Sequence, residues 1–239
     1  MKDQVVLIAG ASGGIGSACA RLFADEGAKL VLAARNIAKA EEMADEIKNK
    51  GGEALALELD VSDPMSVTHM LREVDEHYGR IDVLINAFGL GMIQPLSDAH
   101  PDDIKEVLDV NVLGTILVTQ AVINQMEPQK SGKIIMYPGI LGKAVMRNSS
   151  IYSASKYAVT GLTKALVEDN KRSGISFSLM FLGGVATDFW ENPNVGVKVQ
   201  KDKMLTPDEV ARATLYACKQ EGASVLNELV IQPESHQMV

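Results

Sequence analysis

Ala9-Gly10-Ala11-Ser12-Gly13-Gly14-Ile15-Gly16 follows one apolar run, Val5–Ala9, and leads into an amphipathic one that starts at Ile15. Glycines let a backbone turn tightly and approach a phosphate closely. A helix beginning there adds free N–H groups and the positive end of its dipole. At a first strand–helix junction, the loop predicts a dinucleotide site held by Gly10, Ser12, Gly13, Gly14, Ile15 and Gly16. The same letters also satisfy a second motif. Gly10-Ala11-Ser12-Gly13-Gly14 is a literal G-x-S-x-G, the nucleophile elbow of a serine hydrolase. That reading needs a later acid and a histidine, and only His236, in a short polar tail, comes late enough.

Outward from the loop, β-rich apolar runs alternate with helical patterns. Strands are predicted at Val5–Ala9, Lys29–Ala33, Ala54–Leu59, Val83–Asn86, Lys133–Tyr137, Ile175–Phe181 and Glu228–Ile231. Their near-continuous Val, Ile, Leu and Ala suit strands covered on both faces of a parallel sheet. Helices are predicted at Ile15–Glu26, Ile37–Lys50, Pro64–Tyr78, Asp102–Gln125, Tyr152–Arg172 and Pro207–Lys219. The expected fold is α/β, a single Rossmann-type doubly wound domain over residues 1–239 with helices on both faces. Two stretches exceed what a connection needs, Pro138–Ile151 and Gly183–Leu205, and loops that long are usually functional.

Bulk properties narrow the function. Hydrophobic residues make up 46% of the 239, enough for one large core. With 23 Lys+Arg against 31 Asp+Glu the net charge is −8, which argues against nucleic acid as a partner. No run of about 18 apolar residues marks a membrane span, and the start of the chain lacks a signal-peptide pattern. A cytoplasmic protein is expected. The two cysteines, Cys19 and Cys218, and the four histidines show no metal-ligand spacing.

Two further features carry chemistry. The second strand ends Ala33-Ala34-Arg35-Asn36. A carboxylate there would hold a ribose 2′-hydroxyl, whereas an arginine accommodates a 2′-phosphate, so NADP is the expected cofactor, with Arg35 as its reader. Tyr152 and Lys156 stand four apart at a helix start and so share a face. An ammonium within roughly 4–6 Å lowers a tyrosine pKa and makes its hydroxyl a usable acid or base.

Taken together, these residues resemble the short-chain dehydrogenase/reductase family, in its compact single-domain form. Gly10 to Gly16 looks like the family's T-G-x-x-x-G-x-G with Ala9 for Thr, and Tyr152-Ser153-Ala154-Ser155-Lys156 matches Y-x-[AS]-S-K. Asp60-Val61 resembles the adenine-contacting pair, and Asn86-Ala87-Phe88-Gly89 falls where the family has N-N-A-G. Asn111 resembles the Asn that ties a water to the catalytic Lys. Gly183, Val185 and Thr187 lie in a P-G-x-x-x-T-like stretch at the nicotinamide, with Leu182 replacing Pro. The resemblance implies strand order 3-2-1-4-5-6-7, catalytic Tyr152, Lys156 and Asn111, and a homodimer or homotetramer. It also implies a substrate lid over about 183–205 and NADP-dependent hydride transfer on a carbonyl/alcohol pair.

One departure stands out. Counting three back from Gly142 and thirteen back from Tyr152 both reach Gly139, where the family places its catalytic Ser. Loss of one donor to a developing oxyanion costs roughly a hundred to a thousand in rate. A water, Ser149, Asn148 or Tyr137 is expected to take its place. The alternative is an NADP-binding protein with little catalysis, acting as a sensor or assembly partner.

Overall fold

The computed structural model describes residues 1–222 and 224–238. Seven strands form one sheet: β1 (Val5–Ala9), β2 (Lys29–Ala34), β3 (Glu53–Glu58), β4 (Val83–Asn86), β5 (Gly132–Met136), β6 (Ile175–Leu182) and β7 (Glu228–Ile231). Every neighbouring pair is parallel, in the order β3-β2-β1-β4-β5-β6-β7 that the family resemblance implied.

The alternation of strand side chains builds two cores, one on each face of the sheet. Val6, Ile8, Leu30 and Leu32 pack under α1 (Gly14–Asp25), α2 (Ile37–Asn49) and α7 (Pro207–Cys218). Val5, Leu7, Val31 and Ala33 pack under α3 (Pro64–Tyr78), α5 (Thr115–Gln129) and α6 (Ser150–Asp169). Helix starts are set chemically. Asp63 accepts from Met65 N before Pro64, and Thr206 and Glu209 form a reciprocal capping box before Pro207. Chain order reverses direction across the sheet at β1, so a crevice opens beyond the carboxyl ends of β1 and β4.

The helix expected over Asp102–Gln125 is not continuous. It runs as α4 (Pro101–Leu108), a π turn over Asp109–Gly114, and then α5. Side-chain bonds made by Asn111 to a neighbouring loop offer a local alternative to regular helix bonding, and insertions of this kind gather at functional sites. By length and composition the combined run, Pro101–Gln129, could cross a membrane. Here its Val118, Val122 and Met126 are buried against the sheet as core.

Candidate active site

The glycine loop sits where β1 meets β4. Gly10 has φ +89, and a Cβ on it would lie 2.8 Å from the backbone of Ala87 and Phe88, so only glycine fits between the strand ends. Gly13, Gly14 and Ile15 then open α1 along a cavity of about 1060 Å³. The elbow reading of Ser12 fails. His236, the late histidine that reading needs, faces a cavity that Ser12 does not line, and no described hydrogen bond joins Ser12 to a histidine or a carboxylate. Among the described residues, no hydrolase triad forms around Ser12.

Across the cavity, the first turns of α6 present Tyr152 and Lys156. The Lys156 ammonium is buried, donates to Tyr137 O at 3.1 Å, and lies 5.6 Å from the Tyr152 ring centre. Burial pulls its pKa down to about 8. Burial also pushes the Tyr152 hydroxyl up. Desolvation is what acts on the tyrosine, so the expected lowering by Lys156 is not seen and the hydroxyl is held protonated. Phe189 packs against Tyr152, ring centres 5.5 Å apart.

Asn111 reaches this pair from the π turn. Its Oδ1 accepts from Leu90 N at 2.7 Å, while Nδ2 donates to Leu90 O at 2.8 Å and to Ser155 Oγ at 3.0 Å. Gly89 fills the gap between them: a Cβ there would lie 3.2 Å from both Asn111 Oδ1 and Lys156 Nζ. The three expected catalytic residues are thus brought together, with Asn111 fixing the backbone beside Lys156.

Gly139 is more than a serine with its hydroxyl removed. Its φ of +64 and ψ of 175 belong to a region essentially reserved for glycine. None of the side chains expected to substitute reaches in. Tyr137 Oη turns to Thr214 Oγ1 at 2.7 Å, and Ser149 Oγ pairs with Met146 O and Ser153 Oγ. Asn148 and Ser149 line a separate shallow groove.

The remaining expected cofactor residues divide in two. Ala87, Gly89, Gly183, Val185 and Thr187 line the cavity with Gly13, Gly14 and Ile15. A Cβ on Gly14 would touch Thr187 Cγ2, so the two cofactor segments meet. Arg35, Asp60 and Val61 lie beyond the cavity, at the ends of β2 and β3. The Ser62 hydroxyl (2.6 Å) and N–H (2.9 Å) hold the Asp60 carboxyl below its ordinary range, and the Arg35 charge adds to this. Asn86 does not line the cavity. It is buried, donating to Thr119 Oγ1 and Met136 Sδ, each at 3.2 Å.

The long loop after β6 covers the cavity. It is tied down by bridges between Ile93 and Val195 and between Val185 and Leu205. The tail after β7 forms part of the wall, which the sequence did not reveal. Gln232 exchanges two hydrogen bonds with Met238, Ser235 Oγ donates to Lys203 O, and His236 faces the cavity. A short polar segment carries no periodicity that would mark such a role.

The sequence profile of the short chain dehydrogenase family matches residues 4–197. An uncharacterized oxidoreductase of Staphylococcus saprophyticus is 32% identical over 234 residues, covering 98% of each chain. The alcohol dehydrogenase of the archaeon Thermococcus sibiricus, solved with 5-hydroxy-NADP, superposes with TM-score 0.90 over 100% of both chains at 26% identity. A metagenomic short-chain oxidoreductase in complex with NADP does so with TM-score 0.85 over 98% of both chains at 29% identity. With its seven-stranded parallel sheet, its glycine loop and its Tyr152–Lys156 pair, this chain belongs to the short chain dehydrogenase family.

Proposed function

We propose that the protein is an NADP-dependent oxidoreductase that interconverts a carbonyl compound and its alcohol, with Tyr152 as acid and base. The observation that carries this reading is the convergence of Tyr152, Lys156 and the Asn111-braced loop on one wall of a dinucleotide-sized cavity whose other end is the glycine loop. The residues fit a nicotinamide dinucleotide. Gly14 and Ile15 begin a helix whose first N–H groups suit a pyrophosphate. Lys156 keeps ammonium donors beyond the one given to Tyr137 O. When bound, the dinucleotide supplies or takes the hydride.

The chain's own residues manage the proton. Tyr152 Oη, kept protonated by burial, donates to the carbonyl oxygen as negative charge develops there. Lys156 stabilises the tyrosinate that results, and Asn111 ties the Leu90 backbone to Ser155, the neighbour of Lys156. Phe189 and Trp190 on the covering loop exclude water from Tyr152. Arg35 at the end of β2, with no carboxylate beside it on that strand, favours the 2′-phosphate. Exposed apolar side chains on the α4–α5 run (Leu108, Leu113, Ile116) and on α6 (Tyr157, Val167) support a homo-oligomer.

The test is initial-rate absorbance with NADPH and a panel of ketones, aldehydes and diketones. Turnover with NADPH in preference to NADH is expected. Tight NADPH binding with no turnover of any carbonyl would favour a binding protein instead.

A further inference from the structure

The surroundings of Gly139 specify more than a lost donor. An ideal Cβ at Gly139 would have a single atom within 4 Å outside its chain neighbours, the carbonyl oxygen of Leu182 at 3.7 Å. Gly139 and Leu182 both line the cavity that holds Tyr152. The left-handed backbone at Gly139 makes any side chain placed in this space strained. The nearby hydroxyls are committed elsewhere. Tyr137 bonds Thr214, Ser149 bonds Met146 and Ser153, and Thr187 Oγ1 accepts from Phe189 N as a cap. Where the family offers a hydroxyl that can donate, this chain offers open space faced by an acceptor.

An acceptor oxygen facing open space in the cavity that holds Tyr152 calls for a donor on the ligand. We propose that the substrate carries a hydroxyl on the carbon adjacent to the reacting carbonyl, placed over Gly139 and donating to Leu182 O. The substrate class is an α-hydroxyketone and the product a vicinal diol. This rests on the oxidoreductase reading and deepens it. The substrate's own hydroxyl takes over the orienting role that the missing side chain would have had. Reduction adds a hydride from the reduced nicotinamide to the carbonyl carbon and a proton from Tyr152 Oη to its oxygen. The adjacent hydroxyl is unchanged. A site built to receive a hydroxyl discriminates strongly against the analogue that lacks one.

The experiment uses matched substrates with the unaltered protein. Values of kcat/KM with NADPH are compared for 1-hydroxy-2-butanone, 1-methoxy-2-butanone and 2-butanone. The methoxy compound keeps the electron withdrawal of the oxygen but cannot donate. In parallel, calorimetry compares 1,2-butanediol with 1-methoxy-2-butanol on the protein–NADP complex. The hydroxyketone is expected to exceed the methoxyketone by about tenfold or more, with the diol binding preferred by a similar factor. A preference below about tenfold would overturn the proposal while leaving the oxidoreductase reading intact. If no ketone turns over, the oxidoreductase reading fails, and the diol-binding ratio decides the Gly139 site by the same threshold. Gly139→Ala, whose methyl occupies the space before Leu182 O, is expected to erase the preference.

Discussion

The side-chain amide of Asn111 pairs with the backbone of Leu90 as one strand pairs with another: Oδ1 accepts from Leu90 N at 2.7 Å and Nδ2 donates to Leu90 O at 2.8 Å. The loop after β4 is thereby locked to the π turn, and the lock passes through Ser155, next to Lys156. Asn111→Ala leaves both Leu90 groups without their partners. A loss of about 1–3 kcal/mol is expected, read by urea denaturation, together with a fall in kcat. Asn111→Asp keeps the acceptor for Leu90 N and loses the donor, so its loss should be intermediate in stability.

Lys156 sets the pH behaviour. Its folded pKa of about 8 lies below the ordinary lysine value of 10.5. The unfolded chain therefore binds more protons between those values, and stability contributed by this group rises with pH across that window. Below pH 8 the burial penalty is fully present, amounting to about 3 kcal/mol. Lys156→Met is expected to stabilise the unliganded protein at pH 7, with the gain shrinking toward pH 10.5, while activity is lost. In the active protein, kcat/KM for carbonyl reduction should fall as pH rises past about 8, when Lys156 loses its charge.

Gly139→Ser does not restore a family-like site. At φ +64 and ψ 175 a serine is strained by about 1–3 kcal/mol. The variant is expected to melt at a lower temperature and to gain no rate with simple ketones. A rate gain without destabilisation would show that the backbone relaxes to accept the hydroxyl.

Arg35 is exposed, and its charge helps to hold the Asp60 carboxyl below its ordinary range. Arg35→Ala is expected to weaken NADPH binding by a factor of about 5–30 and to leave NADH unchanged, measured by fluorescence titration. Equal weakening of both cofactors would remove Arg35 as the 2′-phosphate reader.

Much of this was legible in the sequence, for physical reasons. Strands buried on both faces declare themselves as apolar runs, so Val5–Ala9 and Val83–Asn86 are observed with the bounds predicted; Glu228–Ile231 is too, although it is a partly exposed edge strand. Glycines at forced positions, such as Gly10, and a Tyr–Lys pair one helical turn apart likewise carry their geometry in their spacing. What stayed hidden depends on contacts distant in sequence. The π turn follows from Asn111 meeting Leu90, and no local period announces it. The same holds for Gly139: the missing hydroxyl was visible by counting, but its left-handed backbone and the facing Leu182 carbonyl were not. Nor could the tail's return to the cavity be read from the letters of a short polar segment.

The proposed reduction depends on proton transfer from Tyr152. The most direct measurement is kcat/KM for NADPH-dependent carbonyl reduction by Tyr152→Phe, alongside calorimetric NADPH binding by the same variant. The predicted result is a fall of about 10²–10⁴ in kcat/KM with cofactor binding retained. Turnover equal to that of the unaltered protein would mean that Tyr152 is not the proton donor.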